Sequence, residues 1–566
     1  MFARAGIKHK QRLDQKGFSV VEALLSVTLF CCLTTALVGA IVYGRQSAAS
    51  AGDHNRAVLL ADEGCDAVRN IGAAAWSNLS IGNFGLAVSG GQWTFSGTSD
   101  TTGIYTRQIN IAQVDSDRKT VTCTVSWTAS GAPKSLSVTT RLTNWSAPIV
   151  TPGPIMMAYS KTTTTPFYRI WNGSSWGTEG SANNVGGTIN YVVLKSARTR
   201  NEAILGTQDA TGAIFVQVWN GSSWGAATQV GTGPTGTRAF DIAYEKNSDR
   251  AVIVYSPSAA SADFAYRIWN GTTLSSPITI TAPPTTGAIN WIELDQNPLS
   301  SSDEVAMIML DANSDVYGMR WTGSAWDNMG TATTWDTTAS TSFTKKAIDV
   351  EYEQTSGHAL YVWGDATATD NNYRTWDGTT LGAVTTLAIP TEGGISEWVQ
   401  LAARPGSNQI MLGVQDAGAD LNTRIWSGTA WDTAAQHPEH DASTENILSR
   451  NFDIVWETAT ANLGKAWLVW GDGSTISTSQ WNGTSWGTTS TLSGSDDTSF
   501  IRLRADPVSG TLFTGNYQNA SSAVGARDIS ERHIIGGGST WTTKNIIWGG
   551  ATSSDPVYFR IDIAIP

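Results

Sequence analysis

Chemistry-bearing residues are scarce in this chain of 566 residues, which has four cysteines, six histidines and only 15% charged side chains. So few cysteines over this length exclude a disulfide-built scaffold, which needs them densely spaced. Acids outnumber bases, 48 to 36, and the net charge of −12 excludes a general nucleic-acid binder, which shows a basic face. No nucleic acid is therefore expected among its partners. The histidines (His9, His54, His358, His437, His440, His533) follow no period, and no phosphate loop or Cys-x-x-Cys occurs. No catalytic constellation is recognisable, and the chain reads as a non-enzyme.

The N-terminus is the most informative part of what is present. Met1 to Gly17 holds Arg4, Lys8, Lys10, Arg12 and Lys16 against one acid, Asp14. Positive charge before an apolar run keeps that end cytoplasmic. From Phe18 to Tyr43 the only charge is Glu22. An apolar run of roughly 20 residues spans a bilayer as one helix. A secretory signal peptide has a shorter apolar core, about 7–15 residues, with its cleavage site on the far side. Here the junction of small and aromatic residues precedes the run. A plain anchor gives Glu22 no task, yet a carboxylate in hydrocarbon is costly and is normally matched to a partner.

Taken together, Lys16-Gly17-Phe18-Ser19-Val20-Val21-Glu22 resembles the type IV prepilin family, as a minor pilin or pseudopilin. Gly17-Phe18 is similar to the prepilin peptidase junction, and Glu22 stands at the family's fifth mature position. The resemblance implies that prepilin peptidase removes the leader and that Phe18 becomes an N-methylated terminus. It further implies that Glu22 pairs with the terminal amine of a neighbouring pilin subunit during assembly. The protein is then a single-pass protein of the inner membrane before assembly, and afterwards lies at the cell surface or in a pilus.

The expected class is multidomain: a long α-helix, a small α+β head, and an all-β propeller. The boundaries read as leader 1–17, transmembrane and stalk helix 18–72, β head 73–145, Pro-rich linker 146–154 and propeller 155–566. The helix prediction rests on the absence of Pro and on apolar residues continuing through Val58, Leu59, Leu60 and Val68. Phe18 to about Asn70 would extend about 80 Å at 1.5 Å per residue. Head strands are predicted from alternation in Tyr105–Ile111, Thr120–Trp127 and Leu136–Leu142. Cys31 and Cys32 lie in the apolar run as small fillers. Cys65 and Cys123 either bridge the helix to a strand, in a compartment where disulfides persist, or remain two buried thiols.

Beyond Ile155 the chain is periodic. Trp171-Asn172-Gly173-Ser174-Ser175-Trp176 recurs at Trp219–Trp224, and related copies surround Trp269, Trp321, Trp376, Trp426 and Trp481. Successive leading Trp residues lie 48, 50, 52, 55, 50 and 55 apart, by subtraction. A period near 50 residues with about four short strands fits a propeller blade. Asn-Gly supplies a tight turn. The Trp pairs Trp171/Trp176, Trp219/Trp224, Trp321/Trp326, Trp426/Trp431 and Trp481/Trp486 are expected to face each other across a hairpin. Leu274 and Leu381 replace the second Trp in two copies, which indicates packing. The turn loosely resembles the Asp-box of sialidase-like propellers, with Asp377 in one copy, but the spacing departs and no activity is carried over.

A second recurring strand precedes each hairpin, as in Asn190–Leu194, Phe240–Tyr244 and Ile348–Tyr352. Its last copy, Phe559–Ile563, has no hairpin after it, and the hairpin at Trp171 has no such strand before it. The two incomplete pieces predict eight blades, with the C-terminal strand closing the ring. Seven blades with one outlying unit is the alternative. Blades also alternate in type, which points to a doubled unit copied four times.

Candidate ligand residues remain few. Arg169, Arg267, Arg320, Arg374 and Arg424 precede the hairpin Trp and either contact anionic sugars or pair along a strand. Asp311-Ala312-Asn313-Ser314-Asp315 places Asp311, Asn313 and Asp315 at the alternate positions of a calcium loop, without its closing Gly and Glu. Asx turns explain the same residues, and Asp416 and Asp420 repeat part of the pattern. His437 and His440 read as a surface loop lacking further zinc ligands. Asn-Gly-Ser/Thr sequons at Asn172, Asn220, Asn270 and Asn482 coincide with the turns. No cofactor is expected beyond the calcium candidate.

The combined reading is a minor pilin, at a filament tip or sparse in the filament, whose propeller takes an extracellular glycan or protein ligand. A surface-tethered glycan-active enzyme and a pseudopilin of a secretion or DNA-uptake system are the alternatives.

Overall fold

The computed structural model describes residues 19–115, 118–129, 131–144, 154–161, 163–281, 287–331, 333–339, 344–366, 369–389, 393–444, 449–492, 498–518, 528–549 and 561–566. The leader, Phe18, nearly all of the Pro-rich linker, and Phe559–Arg560 of the final predicted strand lie outside these residues. The chain divides into two compact units, Met1–Ile149 and Val150–Pro566.

The first unit is built on one helix, α1, Val20–Ala74. Its start is fixed locally. Ser19 is the N-cap, its hydroxyl accepts the Val21 N–H, and its own N–H donates to Glu22 in a capping box. The helix ends at Ala75, where the backbone turns extended. Its two halves differ. The first is apolar and exposed, with Val20, Leu24, Leu25, Leu29, Phe30, Leu33 and Leu37 all outward. It is long and apolar enough to cross a membrane. The second half buries Ala57, Ala61, Gly64, Cys65, Val68 and Ile71 against a six-stranded sheet.

That sheet runs Gln92–Ser96, Gly82–Ser89, Tyr105–Asp115, Arg118–Ala129 and Ala132–Thr143 side by side, and Asp100–Thr102 pairs with Tyr105–Asp115. Alternation sets its buried face: Val121, Cys123, Val125 and Trp127 are buried with the helix residues, and the residues between them are not. Gly64 marks the closest approach, since a Cβ there would stand 3.0 Å from the side chains of both Arg107 and Ile109. Arg107 also ties sheet to helix through Glu63 (3.0 Å) and the Leu60 carbonyl (3.1 Å).

The second unit is all β and has a propeller fold made of repeated antiparallel sheets. The first seven sheets begin, in chain order, with Ile189–Ser196, Phe240–Tyr244, Ile289–Gln296, Ile348–Tyr352, Ser396–Ala403, Phe452–Trp456 and Thr498–Ala505. In each, strands pair in sequence order, as hairpins require. The eighth sheet is composite: Ile561–Ala564 from the C-terminus pairs with Met156–Ser160, followed by Pro166–Ile170 and Gly180–Ser181. The leading strands pack beside one another in succession, and those of the first and seventh sheets both lie against Ile561–Ala564.

Second strands such as Ala251–Tyr255 and Val305–Asp311 are buried at every residue. Neighbouring sheets cover both of their faces, so these segments read as continuous apolar runs rather than alternating ones. Two sheet types alternate. In the first, third, fifth and seventh sheets the pairing of the leading strand slips by one residue, between Ile189 and Tyr191, Ile289 and Trp291, Ser396 and Trp398, and Thr498 and Phe500. The even sheets instead carry an Asp at the second place of the leading strand.

Candidate functional site

The hairpin residues are structural. Trp171 bridges Trp176, so the turn between them holds four residues, and the same bridge joins Trp219 to Trp224, Trp426 to Trp431 and Trp481 to Trp486. Trp321 and Trp326 pair likewise. Ring centroids within the pairs lie 5.5 to 5.7 Å apart. The Asn172 side-chain oxygen accepts the N–H groups of Ser174 (3.0 Å) and Ser175 (2.9 Å), which closes the turn, and Gly173 takes a φ of 98°. Asn220, Asn270 and Asn482 do the same. These turns also spell Gly-x-Ser-x-Gly at 173–177, 221–225 and 483–487. They join two strands rather than a strand and a helix, so they form no nucleophile elbow.

In three hairpins the leading Trp (Trp321, Trp376 or Trp426) is an anchor between sheets. Trp321 is 3% exposed and donates its indole N–H to Glu245 of the preceding sheet at 2.5 Å. Trp426 donates to Glu353 in the same way, at 2.7 Å. The recurrent arginines are committed as well. Arg169 bonds the Gly177 carbonyl, Arg267 that of Ser275 and Arg374 that of Gly382, while Arg320 takes Asp327 and Arg424 takes Asp432. Each reaches the far side of its own hairpin, which is the strand-pairing role and not the anionic-sugar one.

Of two loop expectations, the Asx turn at Asp311 accounts for the first and the second changes. The Asp311 carboxylate accepts the N–H groups of Asn313 (2.8 Å), Asp315 (2.9 Å) and Gly287 (2.7 Å). Backbone donors thus occupy the oxygens that a calcium loop would offer. Asp416 caps Gly418, Asp420 and Gly394 in the same manner. Among the described residues no three His, Cys, Asp or Glu side chains converge as a metal site. The correction concerns His437, which is buried, and His440, which is half-buried beside Trp470 and Trp486. His437 is 6% exposed, stacks on Trp481, accepts the Trp486 indole N–H at Nδ1 (3.1 Å) and approaches Asp432 through Nε2 at 2.5 Å. Because Trp486 can only donate, Nδ1 is the acceptor, and Nε2–H points to Asp432. Thr423 links His437 to His440. Burial, reinforced by His437, lowers the His440 pKa to about 3.

In the first unit, Glu22 lies in the exposed first turn, bonded to the Ser19 N–H at 3.1 Å. Gly17 and Phe18 lie outside the described residues. Cys65 and Cys123 are buried free thiols in hydrogen-bond contact across the helix–sheet interface. That contact lowers the Cys65 pKa, and the same contact, together with burial, raises that of Cys123.

A dense cluster of charge lies where the leading strands line a cavity of about 320 Å³. Three aspartates of the even sheets, Asp241, Asp349 and Asp562, line it, and Asp453 is their counterpart in the sixth sheet. Asp241, Asp349, Asp453 and Asp562 each accept the N–H of the following residue at Oδ1. At Oδ2 each accepts a leucine N–H of the next sheet: Leu294 (2.9 Å), Leu401 (2.7 Å), Leu503 (2.8 Å) and Leu194 (2.9 Å). Cations accompany them. Arg450 bonds Asp453 at 2.8 Å, Lys346 lies 3.4 Å from Asp349, and Arg502 bonds Asp562 at 2.7 Å. Burial pulls the Arg502 guanidinium down, but Asp562 and Asp453 outweigh it and hold its pKa above the ordinary value.

Two further carboxyls of this cavity stand without such a cation. Asp295 accepts the Tyr352 N–H at 2.8 Å, and burial raises its pKa to about 7. Glu351, on the neighbouring strand, is pushed well above the carboxylate range by burial and then by Asp295 and Asp349. Among the described residues neither has an ion-pair partner within 4.0 Å. Lys195 is the cation whose field reaches both. A second cleft, about 480 Å³, lies beside Tyr266 and Trp321, but its Arg250 is already bidentate on Glu245 (2.6 and 2.8 Å). The cavity residues went unremarked in the sequence. The one visible signal was the Asp repeated in Phe240-Asp241-Ile242 and its counterparts.

No family model matches this chain, and no curated protein does. Among solved structures it is similar to the BP39L lectin from Burkholderia pseudomallei, at 9% identity over 64% of this chain and 100% of that one, with a TM-score of 0.46. It is also similar to AofleA from Arthrobotrys oligospora (12% identity, 73% and 93% covered, TM-score 0.36). A third is the fucose-specific lectin of Aleuria aurantia, described as a six-bladed β-propeller (13% identity, 50% and 94% covered, TM-score 0.30). At this level the likenesses carry no argument about ligand or site.

Proposed function

We propose that this protein is a minor pilin-like subunit that displays its propeller as a ligand-binding head outside the cell. The observation that carries the reading is the division of α1. Its first half is an unpartnered apolar rod with one acid, Glu22, in the first turn. Its second half is the spine of a small β head. A helix that leaves a membrane and then packs under a sheet suits a subunit held first in lipid and later in a helical bundle of like subunits.

On this reading prepilin peptidase cuts between Gly17 and Phe18, and Glu22 turns from its own N-cap to the new terminal amine of a neighbour. Its carboxylate already accepts an N–H at that end of the helix, so the exchange replaces one donor with a charged one. The propeller is an eight-bladed ring that the C-terminal strand closes, a reading supported by the composite eighth sheet. A head of this size crowds helical packing, so the subunit sits at a filament tip or occurs sparsely. The ligand is an extracellular glycan or protein, and the head acts by binding rather than turnover.

The test is a deletion of residues 155–566 in the native host. Fibres that persist while attachment to cells or surfaces is lost are the expected result. Unchanged attachment contradicts it.

A further inference from the structure

We propose that the central cavity of the propeller binds a small zwitterion of the ω-amino acid type, its ammonium between Asp295 and Glu351 and its carboxylate on Arg504. The inference rests on reading the propeller as a ligand-binding head and adds the chemistry of one site to it.

The argument begins with which charges are already used. Asp241, Asp349, Asp453 and Asp562 are saturated by backbone N–H groups and are structural. Glu293 is held by Arg238 and Lys346. Arg450 is buried on Asp453, and Arg502 is spent on Asp562. Two poles are left. The negative one is the pair Asp295 and Glu351, on the leading strands of the third and fourth sheets, with no ion-pair partner within 4.0 Å among the described residues. The positive one is Arg504, on the seventh sheet. Its Nη1 donates to the Leu503 carbonyl (2.9 Å), and it comes no closer than 3.9 Å to Asp562. Its side chain is 29% exposed, and a guanidinium carries five N–H donors, so most remain for a ligand.

Both poles line the same cavity. Two half-buried carboxyls whose shared cation, Lys195, stands beyond ion-pair distance hold an unfavourable arrangement that an ammonium relieves. A ligand with only one charge would satisfy one pole and leave the other bare. A metal ion is a poor fit, because among the described residues no third ligating side chain joins the pair. The cavity volume, about 320 Å³, lies at the lower end of the roughly 300–1,000 Å³ typical of small-molecule sites, which suits a molecule of amino-acid size.

The experiment is calorimetric titration of the full-length protein in detergent with glycine, 4-aminobutyrate and 6-aminohexanoate. Hexanoate and hexylamine serve as single-charge controls. The expected result is that one amino acid binds about tenfold or more tightly than either control. Asp295→Asn, which keeps an acceptor for the Tyr352 N–H, and Arg504→Gln each weaken that binding by about tenfold or more. The proposal is overturned if no amino acid binds below about 10 mM, if a control binds equally well, or if both variants bind like the parent. Surface attachment of the same preparation, scored in parallel, separates the two readings. A protein that attaches yet takes none of these probes removes the cavity site and leaves the ligand-binding head in place.

Discussion

The carboxylate of Asp562 accepts the backbone N–H of Leu194 at 2.9 Å, joining residues 368 positions apart. Asp562 stands on the C-terminal strand and Leu194 on the leading strand of the first sheet. The same bond recurs from Asp241 to Leu294, Asp349 to Leu401 and Asp453 to Leu503, but only the Asp562 copy links the end of the unit to its beginning.

Asp562→Ala removes this acceptor and leaves Arg502 buried without its nearest acid. The expected loss is about 3 kcal/mol of stability, combining an unmade hydrogen bond with an uncompensated charge. Asp562→Asn keeps an acceptor and costs less. Denaturant midpoints at constant slope measure both, and an alanine variant within about 0.5 kcal/mol of the parent contradicts this role.

The hairpin Trp residues differ in weight. Trp321→Ala opens a cavity between sheets and frees the Glu245 carboxylate from its indole donor, at a cost of about 3–5 kcal/mol. Trp326→Ala costs less, because that ring is only half-buried. Thermal unfolding of the two variants side by side checks the order.

Much of this architecture was legible in the chain. The Trp-Asn-Gly turns, the leading strands and the long apolar helix all follow from local pattern. The unfinished strand at the C-terminus pointed to the incomplete blade at Trp171, where the structure pairs it with Met156–Ser160. The cavity was not legible, because Asp295, Glu351 and Arg504 come from leading strands far apart in sequence and share no motif. His437 and His440 were misread as surface loop for a related reason. Local polarity predicted exposure, but Trp481 and Trp486 supply tertiary partners that bury His437 and half-bury His440. At Asp311 the calcium pattern and the Asx turn share the same residue types, and the backbone donors to Asp311 decide for the turn.

His440 makes stability depend on pH. Its pKa falls from the ordinary 6.5 to about 3 in the folded state. Between these values the unfolded chain binds more protons, so stability rises with pH and is lost as pH falls from about 6.5 towards 3. Glutamine at position 440 removes this contribution. Denaturation midpoints measured from pH 7 to pH 4 should fall less steeply in His440→Gln than in the parent.

Cys65 and Cys123 are in contact as thiols, and we expect them to bridge on oxidation. Mild oxidant should then reduce the titratable thiols of the unfolded chain from four to two, with Cys65 and Cys123 in one peptide pair by mass spectrometry. Cys65→Ser should abolish that pair. A bridge between Cys31 and Cys32 in its place, with Cys65 and Cys123 still reduced, contradicts the expectation.

The membrane-to-filament reading is tested most directly by the mass of the N-terminal peptide of the protein isolated from its native surface. The account predicts a chain that begins at Phe18, with a methyl group on its amine. A chain that still begins at Met1 contradicts it.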